Sequence, residues 1–182
     1  VSLCNLIFFL KLNLSLFIIS MKKLIIARHA KSSWKDPSLG DFHRPLNKRG
    51  RIDGPIMSNY LREIFPSIDL LHSSSSVRTF ETSAYFTSKI NFMKIKFDKD
   101  LYHSSSSILV EKIKKYSNDY NSVMIIAHNP GLTNLINLVT NIDLYNLPTT
   151  GLALVEFDCY DWSDISKQNS KLVGLKFPKQ LK

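Results

Sequence analysis

From residue 21 onward, short apolar runs alternate with stretches whose apolar residues recur at helical spacing. Short apolar runs predict buried strands, and the helical spacing predicts amphipathic helices. The strands are expected at 22–27, 68–71, 94–97, 122–127, 151–158 and 171–177. The helices are expected at 46–65, 77–90, 105–116 and 132–139. Repeated strand-then-helix units predict an α/β fold, with a largely parallel sheet covered on both faces and an antiparallel edge from the last strands.

Two of the predicted strands end in a histidine. Arg28 and His29 directly follow the first buried strand, and His128 follows the fourth. Arg78 follows the second strand and lies in the polar, serine-rich loop 73–79. Because an open α/β sheet holds its ligands at the carboxyl ends of its strands, these four side chains are expected to form one cationic pocket that contains a nucleophile.

These residue types suit phosphoryl transfer, in which catalysis consists mostly of positioning the group and neutralising its oxygens. The guanidinium forks of Arg28 and Arg78 match phosphate, and the start of the helix near residue 77 adds its dipole. Neighbouring positive charges are expected to lower the pKa of His29 and leave a lone pair for attack, while its other ring nitrogen donates to a backbone carbonyl. His128 is expected to face the phosphoryl group and donate a hydrogen bond or charge.

Composition narrows the function classes. The net charge of +9, from 24 Lys and Arg against 15 Asp and Glu, allows an anionic partner. The basic residues are scattered, so no nucleic acid is expected as a partner. Cys4 and Cys159 give no disulfide framework, which predicts a reducing, cytoplasmic location. Neither cysteine is followed by an arginine at the spacing that cysteine-based phosphatases need. The histidines show no metal-ligand spacing, so no metal and no cofactor are expected.

Residues 1–20 form a separate apolar stretch with one charge, Lys11. Such a segment is marginal for membrane insertion, and it lacks the basic start and small-residue cleavage site of a secretory signal. We expect a domain at 21–182 that begins at Met21, preceded by an extension at 1–20 that arises from an upstream start. A membrane is expected as a partner only if the extension is retained, and the domain is then expected on the cytoplasmic side.

Several spaced segments resemble the histidine phosphatase superfamily and, within it, the SixA-type phosphohistidine phosphatase branch. They are LIIARHAKSSW at 24–34, DFHRPLN at 41–47 with Gly50, Arg78-Thr79, and HNPG at 128–131. The resemblance runs from Met21 almost to the end of the chain. It implies a three-layer, phosphoglycerate-mutase-like α/β fold and a transient phosphohistidine on His29 that water releases. It also implies a catalytic set and an arginine that lines the same pocket: Arg28, His29, Arg78 and His128, with Arg44 as the lining residue.

The region after the second arginine motif differs from the larger family members, which carry a carboxylate general acid there. Here it offers Asp100 as a weak candidate, with Tyr102 and His103 weaker still. An alkoxide leaving group needs a proton from such an acid, whereas an imidazole depends on it far less. No long lid is evident either. We therefore expect an exposed site that acts on phosphohistidine in a protein, with small phosphomonoesters as the alternative substrate class.

Secondary candidates are weaker. Ser33 and Asn129 serve equally well as substrate contacts or as loop packing, and His43, His72 and His103 are expected to be surface or loop residues.

Two other functions stay open. The run 94–100, with Asp98 and Asp100, resembles the start of a magnesium-dependent aspartate-nucleophile phosphatase, which EDTA would inhibit. A non-catalytic basic module would instead bind nucleic acid with a steep salt dependence.

Overall fold

The computed structural model describes residues 21–182, and the extension expected at 1–20 lies outside the described residues. The strands are β1 Lys22–Arg28, β2 Ser67–Ser74, β3 Asn91–Asp98, β4 Ser122–Ala127, β5 Leu152–Phe157 and β6 Ser170–Lys176. The helices of eight or more residues are α1 Lys48–Ile64, α2 Val77–Thr87, α3 Ser106–Ile113 and α4 Gly131–Val139. Within residues 21–182, every helix is too short or too polar to cross a membrane.

One six-stranded sheet carries the fold, in the order β3-β2-β4-β1-β5-β6. β1, β2, β3 and β4 are parallel, whereas β5 pairs antiparallel to β1 and β6 antiparallel to β5. The predicted α/β class and the antiparallel edge are therefore confirmed. Arg28 on β1 pairs with Ala127 on β4, so the segments that follow these strands emerge side by side at one edge of the sheet.

Side chains of β1 alternate between two cores, one on each face of the sheet. Leu24 and Ile26 belong to the core that α3 and α4 cover, and Ile25 and Ala27 to the core that α1 and α2 cover. Burying one large aliphatic side chain contributes roughly 1.5–3 kcal/mol, so both faces of this strand are anchored. The result is a three-layer arrangement in which the ends of β1 and β4 are held rigidly.

Helix α1 begins as predicted, and small residues form part of its buried face. Asn47 caps it, since its side chain accepts a hydrogen bond from the Gly50 amide at 2.9 Å. Two apolar residues that recur at helical spacing in this segment, Ile52 and Ile64, are exposed. Small residues lie inward instead: a Cβ at Gly54 would stand 2.3 Å from the Tyr85 ring, so close packing against α2 sets the buried face.

Strand β2 is longer than its apolar run predicts. It continues through Ser73 and Ser74, both buried, although these residues were expected in a polar loop. Their hydroxyls find partners inside the protein, since Ser83 donates to Ser73 at 3.0 Å and Ser74 lies 3.0 Å from His128 Nε2. Hydrogen-bonded serines can extend a buried strand, and this extension brings Ser74 to the edge where β1 and β4 end.

Gly131, the first residue of α4, allows a close approach of two segments. A Cβ at this position would lie 2.1 Å from the Ser104 carbonyl oxygen. The turn that carries His103 therefore rests against the start of α4, directly beside His128. His103 itself has φ 52, a left-handed conformation that few residues other than glycine adopt.

Candidate active site

The ends of three parallel strands bring two imidazoles and a guanidinium together. The rings of His29 and His128 have centroids 5.0 Å apart, with 52° between their planes. Arg78, in the first turn of α2, places Nη2 3.3 Å from His128 Nδ1. All three side chains are buried. These residues are separated by up to about a hundred positions in the sequence, and the sheet topology makes them neighbours.

His29 is held as a neutral ring, and one of its nitrogens makes no hydrogen bond within residues 21–182. Its Nδ1 lies 2.7 Å from the Ala30 carbonyl oxygen, and because a carbonyl only accepts, Nδ1 carries the proton. This leaves the lone pair on Nε2. Burial, together with Arg78 and Arg28, lowers the pKa of His29 to about 3. The ring therefore carries a free lone pair at neutral pH, as the sequence analysis expects, although burial is the larger cause.

His128 differs from its expected state. Arg78 Nη2 donates to its Nδ1, so Nε2 carries the proton and donates to Ser74 Oγ at 3.0 Å. Burial and the neighbouring His29 and Arg78 lower the pKa of His128 to about 2. Both ring nitrogens are thus engaged within the protein, and His128 offers a new hydrogen bond to a ligand only when Arg78 releases it.

Arg28 reaches the site from the end of β1. Its Nη1 donates to the Leu147 carbonyl at 2.8 Å and lies 3.3 Å from Asn146 Oδ1. Its Nε is buried with no hydrogen-bond partner among residues 21–182, and the same holds for Asn129 Oδ1 and Thr150 Oγ1 nearby. Unpartnered buried polar atoms are rare, and these three surround the end of β1, as a site for a polar ligand would require.

Asp41, which was not among the site residues expected from the sequence, contacts Arg78 at the site. Its carboxylate accepts hydrogen bonds from Arg78 Nη2 at 2.8 Å, Tyr102 Oη at 2.6 Å and His103 Nε2 at 3.2 Å. Arg78 Nη1 also donates to the Asp41 carbonyl oxygen. Burial works to raise the pKa of Asp41, but hydrogen bonds from Tyr102, Arg78 and His103 outweigh it and hold the pKa well below its usual range.

Arg44 forms an ion pair with the Asp41 carboxylate. Its Nη1 lies 2.5 Å from Asp41 Oδ1, its Nη2 donates to Ser32 Oγ, and its Nε donates to the Ser33 carbonyl. Its guanidinium also lies 3.1 Å from the centroid of the exposed Trp34 ring. Every face of the guanidinium is engaged. Arg44 is therefore close to the site but does not present a free fork to it, in contrast to the expected pocket-lining role.

Two predicted site residues lie elsewhere. The Asp100 side chain is 74% exposed and pairs with Lys112 at 2.9 Å, away from both histidine rings, so the structure does not bring this candidate acid to the site. The Ser33 hydroxyl accepts a hydrogen bond from the Lys35 amide. Within the described residues it makes no hydrogen bond to His29, Arg78 or His128. Asn129 does belong to the site edge, where its amide donates to Asn146 and Leu147.

Of the three histidines expected at the surface or in loops, His72 is buried, whereas His43 and His103 are exposed as expected. His103 stacks on His128, with centroids 5.2 Å apart and planes 13° apart. His72 is fully buried, with Nδ1 2.7 Å from Tyr116 Oη and Nε2 3.2 Å from Asp98 Oδ2. The expectation for His72 is wrong because its partners come from distant segments, which leave no local pattern.

The carboxylates of Asp98 and Asp100 both form ion pairs with Lys112. Lys112 Nζ lies 2.8 Å from Asp98 and 2.9 Å from Asp100. Burial works to raise the pKa of Asp98, but the Lys112 hydrogen bond outweighs it and lowers the pKa to about 2. Among residues 21–182, no group of three or more His, Cys, Asp and Glu side chains could hold a metal ion. The lysine therefore takes the place that a magnesium ion would need.

Access to the site is narrower than expected. His29 is 8% exposed and His128 3% exposed, and the ring of His103 stacks on that of His128. An open site was expected because no long lid is evident in the sequence. Tyr102 and His103 both donate to Asp41, so these hydrogen bonds hold the His103 turn beside the site.

Comparison with known proteins shows the fold. No family model matches the chain. Over 88% of this chain and 99% of the other, the structure of the protein histidine phosphatase SixA complexed with tungstate superposes with a TM-score of 0.74 at 20% identity. The fold is that of SixA. A protein of Agrobacterium tumefaciens assigned as a phosphohistidine phosphatase SixA gives a TM-score of 0.73 at 24% identity, over 86% of this chain and 98% of that one.

Other relatives extend the comparison. Entamoeba histolytica phosphoserine phosphatase in complex with 3-phosphoglyceric acid shares the SixA-like fold with a TM-score of 0.61 at 12% identity, over 88% of this chain and 100% of that one. An uncharacterized chloroplastic protein of Arabidopsis thaliana is 29% identical over 171 residues, which cover 86% of this chain and 78% of the relative. An uncharacterized protein of Mycobacterium tuberculosis is 24% identical over 162 residues, covering 84% and 99%.

Proposed function

We propose that this protein is a metal-independent phosphatase that forms a phosphohistidine on His29 and most readily dephosphorylates phosphohistidine on another protein. The observation that carries the proposal is the His29 ring, whose centroid lies 5.0 Å from that of His128, itself 3.3 Å from Arg78 Nη2. The Ala30 carbonyl accepts the Nδ1 proton of His29, and Nε2 makes no hydrogen bond within residues 21–182. A buried, neutral imidazole between arginines is suited to attack a phosphorus atom.

The first step transfers the phosphoryl group. Nε2 of His29 attacks the phosphorus in line with the bond that breaks, and the substrate nitrogen leaves with the electrons of that bond. Arg28 and Arg78 neutralise the non-bridging oxygens, which is where charge is spread in a loose transition state. The two guanidiniums supply positive charge directly, so the step needs no metal ion.

The second step returns the enzyme. A water molecule attacks the phosphorus, the bond to His29 Nε2 breaks, and inorganic phosphate leaves while the proton of the water passes to phosphate or solvent. The Ala30 carbonyl holds Nδ1–H throughout, so the ring leaves as the same neutral tautomer that began the cycle. This reset makes turnover possible without further proton donors on His29.

Asp41 acts as a positioning residue for Arg78. Its carboxylate occupies the Arg78 fork, with Nη2 to Oδ2 at 2.8 Å. A phosphoryl group competes for the same fork, so on binding Arg78 moves to share its donors between the carboxylate, which keeps it oriented, and the phosphate oxygens. When Arg78 moves, Nδ1 of His128 loses its donor, and the phosphate charge favours protonation there. His128 then donates to an oxygen of the bound group.

Substrate class is inferred from the proton donors around the site. Asp41 is ionised and accepts from its neighbours, and Asp100 is exposed and paired with Lys112. Neither is arranged to protonate an alkoxide. A phosphohistidine leaving group can take its proton on the distal ring nitrogen from solvent and depart as neutral imidazole, so it does not depend on such a donor. N-phosphorylated protein side chains therefore fit better than phosphomonoesters.

Turnover of a matched substrate panel tests the proposal. Phosphohistidine peptide, phosphoserine peptide and p-nitrophenyl phosphate are compared in the presence of EDTA, with the Arg78→Ala variant as the loss-of-site control. We expect the largest kcat/KM for the phosphohistidine peptide, with no effect of EDTA, and loss of activity in the variant.

Other outcomes would point elsewhere. Faster turnover of p-nitrophenyl phosphate and of phosphoserine would favour a small-molecule phosphatase, which is the alternative within the same fold. Inhibition by EDTA with rescue by Mg²⁺ would favour the Asp98 mechanism. Absence of turnover, together with salt-sensitive binding of nucleic acid, would favour a non-catalytic basic module.

A further inference from the structure

A basic groove lies beside the candidate active site. It has a volume of about 670 Å³ and is lined by residues 45–49 together with Ser33, Lys35, Arg51 and Ile52. Four of the lining side chains are cationic and none is a carboxylate: Lys35, Lys48, Arg49 and Arg51. We refer to this feature as the basic groove. Its charge is concentrated, in contrast to the scattered basic residues expected from the sequence.

The cations of the basic groove are largely unneutralised. Arg49 has one distant carboxylate partner, Asp53, at 3.6 Å. Lys35, Lys48 and Arg51 form no ion pair with any residue of 21–182, and all are exposed. The cations of the basic groove repel one another, and an anionic surface on another molecule would relieve this repulsion. The groove is therefore suited to bind such a surface.

Helix stability does not account for these cations. Lys48, Arg49 and Arg51 lie at the start of α1, where the first turn contains no acidic residue. The helix dipole favours negative charge at this end and opposes positive charge. Three cations in the first turn therefore work against the helix, so a role in binding explains them better than a role in folding.

The basic groove is continuous with the catalytic edge. On one side, the Ser33 carbonyl accepts from Arg44, which holds Asp41. On the other side, Arg49 Nη2 donates to Thr149 Oγ1 at 2.8 Å, and the next residue, Thr150, donates its amide to the carbonyl oxygens of Arg28 and His29. A chain that lies in the groove is therefore within a few residues of His29.

We infer that the basic groove docks an acidic segment of the phosphorylated protein substrate, next to the phosphohistidine that His29 attacks. This inference rests on the proposed function. Charge complementarity favours a peptide with Asp and Glu side chains on one flank of the phosphorylated residue. Nucleic acid fits less well, because the residues that line the groove include no aromatic ring on which a base could stack.

Two synthetic phosphohistidine peptides of equal length test the inference, one with an Asp- and Glu-rich flank and one with a Ser- and Gly-rich flank. The full chain is compared with the K48E/R51E variant at low salt. In the unmodified protein we expect kcat/KM about tenfold higher for the acidic peptide, and we expect high salt to remove the preference. K48E/R51E should lower kcat/KM for the acidic peptide about tenfold, through KM, and change the neutral peptide and free phosphohistidine by less than about twofold.

A matched control changes charge equally at the other end of the sheet. K167E/K171E makes the same charge change near the start of β6, where Lys171 pairs with Glu156 and Glu156 with Lys23 at the start of β1. This variant should keep the preference for the acidic peptide. K48E/R51E should also fold, with an equal or higher melting temperature, because glutamates suit the start of α1.

The outcomes are distinguishable. Equal KM values for the two peptides in the unmodified protein, or the same loss in K167E/K171E, would overturn the docking inference. Tighter binding of a single-stranded RNA than of the acidic peptide, lost in K48E/R51E, would overturn it in favour of nucleic acid. If no phosphohistidine compound is hydrolysed, the proposed function fails. Fluorescence anisotropy with the unphosphorylated acidic peptide then still tests the groove. The docking inference holds only if the unmodified protein binds this peptide and K48E/R51E does not.

Discussion

Two buried histidine clusters lie at the same edge of the sheet and differ in what their rings leave free. In the His72 cluster, Tyr116 Oη and Asp98 occupy both ring nitrogens, and Lys112 neutralises Asp98. In the His29 cluster, one ring nitrogen of His29 donates to a backbone carbonyl, and the other has no hydrogen-bond partner in the part of the chain that the structure describes. Burial lowers the pKa of both histidines, to about 4 for His72 and about 3 for His29.

A buried, neutral histidine is therefore not by itself a catalytic site. His72 is saturated with partners, so its burial serves the packing of β2 against α3. His29 keeps a lone pair in surroundings where cations outnumber carboxylates. Two features therefore separate the clusters. His29 keeps a ring nitrogen for which the described residues offer no partner, and the arginines near it outnumber the carboxylates that could neutralise them.

Replacing the two histidines separately gives the largest contrast. His29→Asn removes the nucleophile, so kcat/KM for a phosphohistidine peptide should fall at least about 10³-fold with little change in stability. His72→Gln should leave kcat within about threefold but lower the free energy of unfolding by about 1–3 kcal/mol, because it disturbs two buried hydrogen bonds. Steady-state kinetics and urea unfolding measure both. Comparable activity loss in the two variants would erase the distinction.

Asp41→Asn probes the carboxylate that holds Arg78. We expect kcat to fall about tenfold, because Arg78 loses a partner that orients it, while inhibition by tungstate becomes stronger because a competing negative charge is gone. The opposite signs separate positioning from simple loss of structure. Weaker tungstate inhibition together with unchanged kcat would contradict this role for Asp41.

The sequence predicts the pairing of His29 with His128 but not the contacts of Asp41, and the sheet topology explains why. His29 and His128 follow continuous apolar runs, and parallel strands bring their ends to one edge, so the pair could be predicted. Asp41 lies in a polar stretch without period, and its bonds to Arg78 and Tyr102 span 37 and 61 residues. His103 and Thr150 depend on left-handed backbone, at φ 52 and φ 62, that no local pattern indicates.

The same reasoning explains the errors in the His72 cluster. The apolar run of β2 stops at Leu71, so the buried residues His72, Ser73 and Ser74 look like the start of a loop. Their burial is compensated by partners from α2, from the end of β3 and from the turn after α3. Those partners become neighbours only when both faces of the sheet are covered.

Stability should depend on pH through the buried histidines. Each has a pKa below its ordinary value of 6.5, so the unfolded chain binds protons that the folded chain does not. The stabilisation is present above about pH 6.5 and is lost as the pH falls toward about 4. Urea unfolding at pH 7, 6 and 5 should show this decline. His72→Gln should reduce the slope by up to about 1.4 kcal/mol per pH unit, and an unchanged slope would contradict the assignment.

The smallest expected effect comes from Tyr116→Phe. This change removes the hydroxyl that bonds His72 Nδ1 and leaves the ring contact with Trp162 intact. We expect a loss of about 0.5–1.5 kcal/mol in the free energy of unfolding and no change in phosphatase kinetics. A large kinetic effect would mean that the His72 cluster communicates with the catalytic edge.

The most direct test of the account is to trap the phosphoenzyme. The full chain is mixed with a labelled phosphohistidine protein, quenched within milliseconds at alkaline pH, and digested for mass spectrometry. We predict acid-labile phosphate on His29, absent in His29→Asn and retained in His72→Gln. Phosphate on another residue, or turnover by the unmodified protein with no label on His29 at any time point, would contradict the central claim.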